Sequence, residues 1–138
     1  MKVKLDPGAY MPKRAHPTDA GLDLRSPKAA KLWFFRRWAV IDTGVHVEIP
    51  KGYVGLLLAK SGLNTKRHIT CEGVIDAGYT GSIVVKLYKR AGLMSYRIAK
   101  GDKISQLVIL PIITPTLELV DELEPTERGD NGFGSTGR

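Results

Sequence analysis

Hydrophobic and polar residues alternate with a period of two along most of this chain. Residues 45–49 (VHVEI) alternate strictly, as expected for a strand with one buried face. Longer apolar runs predict more deeply buried strands at residues 53–59 (YVGLLLA), 83–88 (IVVKLY) and 104–113 (ISQLVILPII, interrupted by Pro111). Glycine- and proline-containing turns separate these runs. Short strands at this spacing predict an all-β sandwich, jelly roll or barrel.

Two shorter stretches add local detail. Residues 73–76 (GVID) predict another buried strand, and the glycines that follow predict a tight hairpin carrying Asp76 and Tyr79. Taken alone, Asp76 could be an ordinary turn carboxylate and Tyr79 ordinary packing. Residues 61–68 predict the one short helix.

Composition indicates a soluble globular domain with a core of its own, since 43% of the 138 residues are hydrophobic and 25% are charged. No apolar run approaches the roughly 20 residues of a membrane span, and the N-terminus lacks a signal-peptide pattern. Cys71 is the only cysteine. An internal disulfide is therefore impossible, and we expect a cytoplasmic protein.

Lysine and arginine exceed aspartate and glutamate by seven. This excess indicates either a polyanionic partner, such as nucleic acid, anionic lipid or a nucleotide, or simply a basic surface. Residues 31–38 (KLWFFRRW), the aromatic-basic segment, contain four aromatic and three basic residues. They could stack on bases or lie at a membrane surface, but we favour a strand that packs its aromatics into the core or a subunit interface.

The last twelve residues, 127–138 (ERGDNGFGSTGR), include four glycines and lack periodicity, which predicts a flexible arm. It is either a frayed terminus or an arm that orders over a ligand. Glycine backbone N–H groups, a guanidinium and two hydroxyls can bind phosphate, and Phe133 can stack on a base. We interpret the segment as a lid for a nucleotide.

Five short motifs occur in order along the chain: DAGLDL (19–24), KSGL (60–63), GVIDAGYTG (73–81), KGDKISQL (100–107) and RGDNGFGSTG (128–137). Together they resemble the motifs of the trimeric dUTPase family. The resemblance implies a jelly-roll-like β-barrel at residues 1–126, with one short helix, and a flexible C-terminal arm at 127–138. It also implies a homotrimer with shared active sites, which needs neither a membrane nor nucleic acid.

The activity implied by the resemblance is hydrolysis of dUTP to dUMP and pyrophosphate with Mg²⁺. This reaction limits uracil in DNA and supplies dUMP for dTMP synthesis, in the cytoplasm of a cell or of a phage's host. Asp76 matches the aspartate that deprotonates the attacking water, and Tyr79 matches the tyrosine that packs against deoxyribose. The backbone of Gly73, Val74 and Ile75 would bind the uracil edge.

The other motifs match phosphate-binding residues of the family. Asp23 would hold Mg²⁺ through water. The triphosphate and the base would contact Lys60, Ser61, Gly62, Gln106, Arg128, Phe133, Gly134, Ser135 and Thr136. Lys60 replaces the family's usual arginine, so the planar fork of a guanidinium is lost.

Two other functions remain open. One is that of the related dCTP deaminases, which share the fold. The other is a regulatory or binding role on a dUTPase scaffold, in which the aromatic-basic segment and the net charge engage nucleic acid or a protein.

Overall fold

The computed structural model describes residues 1–92 and 94–129. Within them the chain forms eleven strands and one helix, which confirms the predicted all-β class. The strands are β1 Val3–Leu5, β2 Gly21–Arg25, β3 Ala30–Leu32, β4 Trp38–Asp42, β5 Val45–Val47, β6 Tyr53–Leu58, β7 Ile69–Thr70, β8 Glu72–Ile75, β9 Val84–Lys89, β10 Tyr96–Ile98 and β11 Lys103–Pro111. The helix is α1, Ser61–Arg67.

Two antiparallel sheets carry most of the core. The larger has the strand order β2-β11-β6-β8 and the smaller β4-β9-β7, while β1 pairs with β5 and β3 with β10. Alternation places every second side chain of a strand inside. Leu57 and Leu107 of the larger sheet and Val85 and Leu87 of the smaller one therefore share one buried cluster. The architecture is jelly-roll-like, as predicted.

The predicted strands and the helix are present, with ends that differ by one or two residues. α1 ends where His68 adopts a left-handed conformation with φ of 54°, and Lys66 and Arg67 lie in its last turn. Cations are stabilised at that position because the C-terminal end of a helix carries a partial negative charge. β11 ends at Pro111, which lacks the N–H that a longer strand would need.

Two predictions about residues 73–81 are wrong. β8 is not a buried strand, since Val74 is 63% exposed and only Ile75 is buried. The turn that follows is not a hairpin either, because β8 pairs with β6 whereas β9 pairs with β4 and β7. The connection, residues 76–83, crosses from one sheet to the other, and we call it the arch.

The aromatic-basic segment does not form a core strand. Its first two residues end β3 and its last begins β4, but residues 33–37 form the loop between them. Phe34 and Phe35 are 58% and 71% exposed. The core alternative is therefore wrong, while a subunit interface is untested.

Residues 112–129 leave the sheets and form neither helix nor strand. Four of their apolar side chains are almost fully exposed: Ile113, Leu117, Leu119 and Leu123. Large apolar side chains exposed in one segment are typical of a contact surface. The predicted domain boundary at residue 126 stays a prediction. Within the described residues, no helix is long and apolar enough to span a membrane.

Candidate functional site

The larger sheet brings together residues from three separate motifs. Gln106 on β11 lies opposite both Asp23 on β2 and Leu58 on β6, and Lys60 follows Leu58 by two residues. The Gln106 amide donates a hydrogen bond to the Ala59 carbonyl at 3.1 Å. We call this end of β6, with Asp23, Lys60, Ser61, Gly62 and Gln106, the first half-site.

Asp23 is the electrostatic centre of the first half-site and is only 5% exposed. Lys60 donates to one carboxylate oxygen, and Lys103 Nζ lies 2.7 Å from the other. Burial alone would raise the pKa of Asp23. The hydrogen bonds and charges of Lys103 and Lys60 outweigh burial, so the pKa lies below its usual value.

Lys103 is a residue of this half-site that the sequence reasoning missed. Its signal was present, because it lies in the fourth motif, between Asp102 and Ile104. Ser61 and Gly62, by contrast, were predicted, and both are exposed in the first turn of α1. The space beside Gly62 is open, so a ligand can approach its backbone closely.

The second half-site lies at the arch and includes Gly73, Val74, Ile75, Asp76 and Tyr79. The Tyr79 N–H donates to the Asp76 carbonyl at 3.1 Å, which closes the turn. Gly78 has φ of +93°, as the third residue of a type II turn requires. Asp76 and Tyr79 both line an open cavity of about 230 Å³, together with Val74, Ile75, Ser82 and Val84.

The Tyr79 ring folds back along the arch, and its hydroxyl donates to the Ser82 carbonyl at 3.0 Å. Gly81 permits this position, because a Cβ there would overlap the ring. Ser82 in turn donates to Asp42, and this bond, followed by that from the Gly44 N–H, lowers the pKa of Asp42. A lone serine after the third motif offered no sequence signal for this role.

His46 also supports the arch, although no motif of the sequence assigned it a role. Its Nδ1 lies 2.8 Å from the Thr80 carbonyl and its Nε2 lies 3.1 Å from an Asp6 carboxylate oxygen. Both partners are acceptors, so only the imidazolium satisfies both. The Thr80 contact, followed by that with Asp6, accordingly raises the pKa of His46.

Within one chain, the functional side chains of the second half-site lie apart from Lys60, although Gly73 at the start of β8 pairs with Leu57 and lies nearer to it. Ile75 pairs with Gly55 near the start of β6, whereas Lys60 lies beyond its other end. Five residues of extended chain separate Gly55 from Lys60, which corresponds to about 16 Å. Among the described residues of one chain, Asp76 at the end of β8 is therefore held apart from the cations of the first half-site.

The remaining predicted residues belong to the C-terminal segment. Arg128 lies in the part of the chain without strands or helix. Phe133, Gly134, Ser135 and Thr136 lie outside the described residues, so their roles stay predictions.

The donor set around Asp23 is compatible with the predicted use of Mg²⁺. Among the described residues no group of three or more His, Cys, Asp or Glu side chains could hold a metal. Mg²⁺ does not require such a cage, since it commonly takes one or two carboxylates together with water and substrate phosphates. Asp23 could supply one such carboxylate.

Comparison with known proteins identifies the family. The dUTPase family model matches residues 8–137. The chain is 41% identical over 134 residues to the deoxyuridine 5'-triphosphate nucleotidohydrolase of Tropheryma whipplei strain Twist, covering 95% of this chain and 91% of that protein. It is 40% identical over 139 residues to the Corynebacterium efficiens protein of the same name, covering 99% and 76%.

Solved structures agree with this fold. A mutant dUTPase of Staphylococcus bacteriophage 80alpha with dUpNHpp superposes with a TM-score of 0.91 at 40% identity, covering 99% of this chain and 98% of that one. A mutant dUTPase from phage phi11 of S. aureus, described with a structural Mg(II) ion, superposes with a TM-score of 0.80 at 38% identity. The match covers 88% of this chain and 96% of that one. This chain belongs to the dUTPase family.

Proposed function

We propose that this protein hydrolyses dUTP to dUMP and pyrophosphate, and that two neighbouring chains of a homotrimer build each active site. The observation that carries the proposal is the separation of the two half-sites along β6. One half-site carries a carboxylate and an aromatic ring beside a cavity, and the other carries cations and helix-start backbone groups. Hydrolysis of the anhydride between the α- and β-phosphates needs a group that positions the attacking water and charges that stabilise the phosphates.

The second half-site would bind the nucleoside and activate water. Asp76 is exposed beside the cavity, where its carboxylate can accept a proton from the water that attacks the α-phosphorus. Tyr79 is held by the Ser82 carbonyl and would pack against the deoxyribose, leaving no space for a 2′-hydroxyl. The backbone of residues 73–75 would bind the edge of uracil.

The first half-site would bind the triphosphate. Ser61, Gly62 and Gln106 would donate hydrogen bonds to phosphate oxygens, and Lys60 would add positive charge. Asp23 would hold Mg²⁺ through water, and the ion would neutralise charge on the triphosphate. Lys60 and Lys103 already neutralise Asp23 in this structure, so they would exchange partners when a nucleotide arrives.

The C-terminal segment supports the shared site. Residues 112–129 run away from the sheets with almost fully exposed leucines, which a neighbouring subunit would cover. We expect Arg128, Phe133, Gly134, Ser135 and Thr136 to close over the nucleotide in such an assembly. The proposed location is the cytoplasm, or that of the host cell if a phage or virus encodes the protein.

Hydrolysis is proposed rather than deamination because the relatives named above are nucleotidohydrolases. The products would keep uracil out of DNA and provide dUMP for dTMP synthesis. Pyrophosphate release from dUTP, compared with dCTP, dTTP and UTP, tests the substrate directly.

Mixing two inactive variants tests the shared site. Gln106→Ala impairs the first half-site and Asp76→Asn the second. If neighbouring chains combine their half-sites, random mixed trimers regain activity at about a quarter of their sites.

The control is a mixture of either single variant with a chain that carries both substitutions, since no site in that mixture can combine two intact half-sites. Native mass spectrometry must confirm that mixed oligomers form. Mixed oligomers that remain inactive would contradict the shared site, while dUTP hydrolysis by the wild type would still support the activity.

A further inference from the structure

The aromatic-basic segment presents an unusual surface that the proposed nucleotidohydrolase activity does not use. Its four aromatic side chains are all substantially exposed: Trp33 43%, Phe34 58%, Phe35 71% and Trp38 40%. Large apolar side chains grouped at a protein surface indicate a binding site. The chemistry of the rings and of the charges beside them indicates which partner fits this segment.

Cations lie directly against these rings. Lys31 Nζ is 3.7 Å from the centre of the Trp33 ring, and Arg36 Cζ is 4.0 Å from that of Trp38. Trp33 and Phe35 stack with centroids 5.8 Å apart and an angle of 17° between the rings. The surface thus alternates flat apolar faces with positive charge.

The platform continues onto the neighbouring strands. In the register of β4 with β9, Trp38 lies opposite Tyr88 and Val40 opposite Lys86. Lys86 Nζ lies 5.4 Å from the Trp38 ring centre and 5.3 Å from that of Tyr88. The aromatic and cationic groups therefore form one surface that extends from the loop along the sheet.

A shallow cavity of about 200 Å³ opens within this surface. Both tryptophans line it, and so do Lys31 and Arg36. Such a lining offers an aromatic face and a positive charge to the same ligand group, a combination that suits a base attached to a phosphate.

Positively charged residues are concentrated in the parts of the chain around this surface. Residues 24–41 and 77–101, which include β3, β9, β10 and all of β4 except Asp42, contain ten lysines and arginines and no aspartate or glutamate. The rest of the chain contains eleven basic and fourteen acidic residues. The excess positive charge of the protein therefore lies in the two stretches of sequence that contain the aromatic-basic segment and its neighbouring strands.

The rings of the aromatic-basic segment lie away from the second half-site, although Val84 on the same face of β9 lines the cavity there. Asp42, which accepts from Ser82 at the arch, pairs with Val84 at one end of the β4–β9 ladder, and Trp38 pairs with Tyr88 at the other. Four residues of strand separate the two ends, about 13 Å. Trp38 and the loop of residues 33–37 therefore lie at the end of this ladder that is remote from the arch.

We propose that the aromatic-basic segment and the adjoining face of β9 bind single-stranded nucleic acid. Unpaired bases present flat faces that stack on exposed rings, and the phosphates that follow them pair with lysine and arginine. A duplex keeps its base faces stacked inside and would meet only the charge. An acidic peptide would likewise satisfy the cations but leave the rings without flat partners.

Tryptophan fluorescence provides a direct test, because Trp33 and Trp38 are the only tryptophans of the chain. The full-length protein is titrated with a twelve-nucleotide oligothymidine at several salt concentrations, and with the matching duplex. We expect saturable quenching by the single strand, and weaker quenching by the duplex. The logarithm of the affinity should fall linearly with the logarithm of salt, by about 0.7 per phosphate contacted.

Two weakening variants, one restoring variant and a matched control separate stacking from charge. Phe35→Ala should weaken binding about tenfold, whereas Phe35→Tyr should restore it. Arg36→Glu should weaken binding and reduce the salt dependence. Lys51→Glu makes the same charge change at an exposed turn outside the surface and should have a smaller effect. All four variants should hydrolyse dUTP as the wild type does.

Several outcomes would overturn the proposal. One is the absence of saturable quenching at low salt, and another is equal affinity for the single strand and the duplex. A third is an equal loss of affinity in Arg36→Glu and Lys51→Glu. Tryptophans already shielded from acrylamide in the free oligomer would show a subunit interface instead. Quenching by anionic lipid vesicles but not by the oligonucleotide would show a membrane surface.

Discussion

The two half-sites differ in how far one chain prepares them. In the first, Asp23 is buried and both its oxygens are paired with lysines. In the second, Asp76 and Tyr79 stand exposed beside an open cavity. Charged groups must be paired before they can be buried, whereas a nucleoside pocket must stay open to its ligand. Asp23 of the first half-site thus contributes to the packing of the fold, whereas Asp76 and Tyr79 of the second stay exposed on its surface.

The largest expected effect separates chemistry from stability. Asp76→Asn should lower kcat for dUTP by about 10²–10⁴-fold, because the amide cannot take a proton from water. Its Tm should stay near that of the wild type, since the side chain is exposed. Steady-state pyrophosphate release and calorimetry measure the two quantities. Glu72→Gln, an exposed carboxylate on the same β8, is the matched control. A fully active Asp76→Asn would refute the assigned role.

In the first half-site, by contrast, stability and activity should fall together. Asp23→Asn removes the partner of two lysines and should lower the free energy of unfolding by about 2 kcal/mol. It should also weaken the Mg²⁺ dependence of hydrolysis. Glu48→Gln, which breaks the exposed pair with Lys2, should cost at most about 0.5 kcal/mol. Denaturant titrations of both variants test this, and equal losses would contradict the difference in burial.

A third substitution should disturb the second half-site without replacing any of its functional residues. Gly81→Ala places a methyl group against the Tyr79 ring, which must move away from the Ser82 carbonyl. We expect kcat/KM for dUTP to fall about tenfold and discrimination against UTP to weaken. Ala77→Ser, an exposed change on the same turn, serves as the control. Unchanged discrimination would mean that Tyr79 does not exclude the 2′-hydroxyl.

The smallest effect concerns pH. The pKa of His46 is raised in the folded protein, so the imidazolium adds stability below the unfolded pKa of about 6.5. That contribution disappears as the pH rises through the folded pKa. Tm should therefore decline more between pH 6 and pH 8 in the wild type than in His46→Gln. His16→Gln, on an exposed turn, should behave like the wild type, and parallel profiles for all three proteins would contradict the prediction.

Much of the fold was predictable from local pattern. The alternation at residues 45–49 and the apolar run at 53–59 correspond to β5 and β6, and the helix lies where it was expected. These predictions succeed because a strand or helix leaves its period in the sequence. Burial was less predictable. β8 resembled a buried strand, but Val74 faces outward, since no local pattern tells which face of a strand a neighbour will cover.

The family motifs identified the candidate residues by themselves, and strand periodicity by itself identified the β class. Only the tertiary structure determined that the arch joins two sheets, that Lys60 and Lys103 pair with Asp23, and that His46 braces Thr80. It also separated the two half-sites along β6. The reason is physical: side-chain alternation is encoded within a strand, whereas strand pairing joins residues that are distant in sequence and depends on the whole chain.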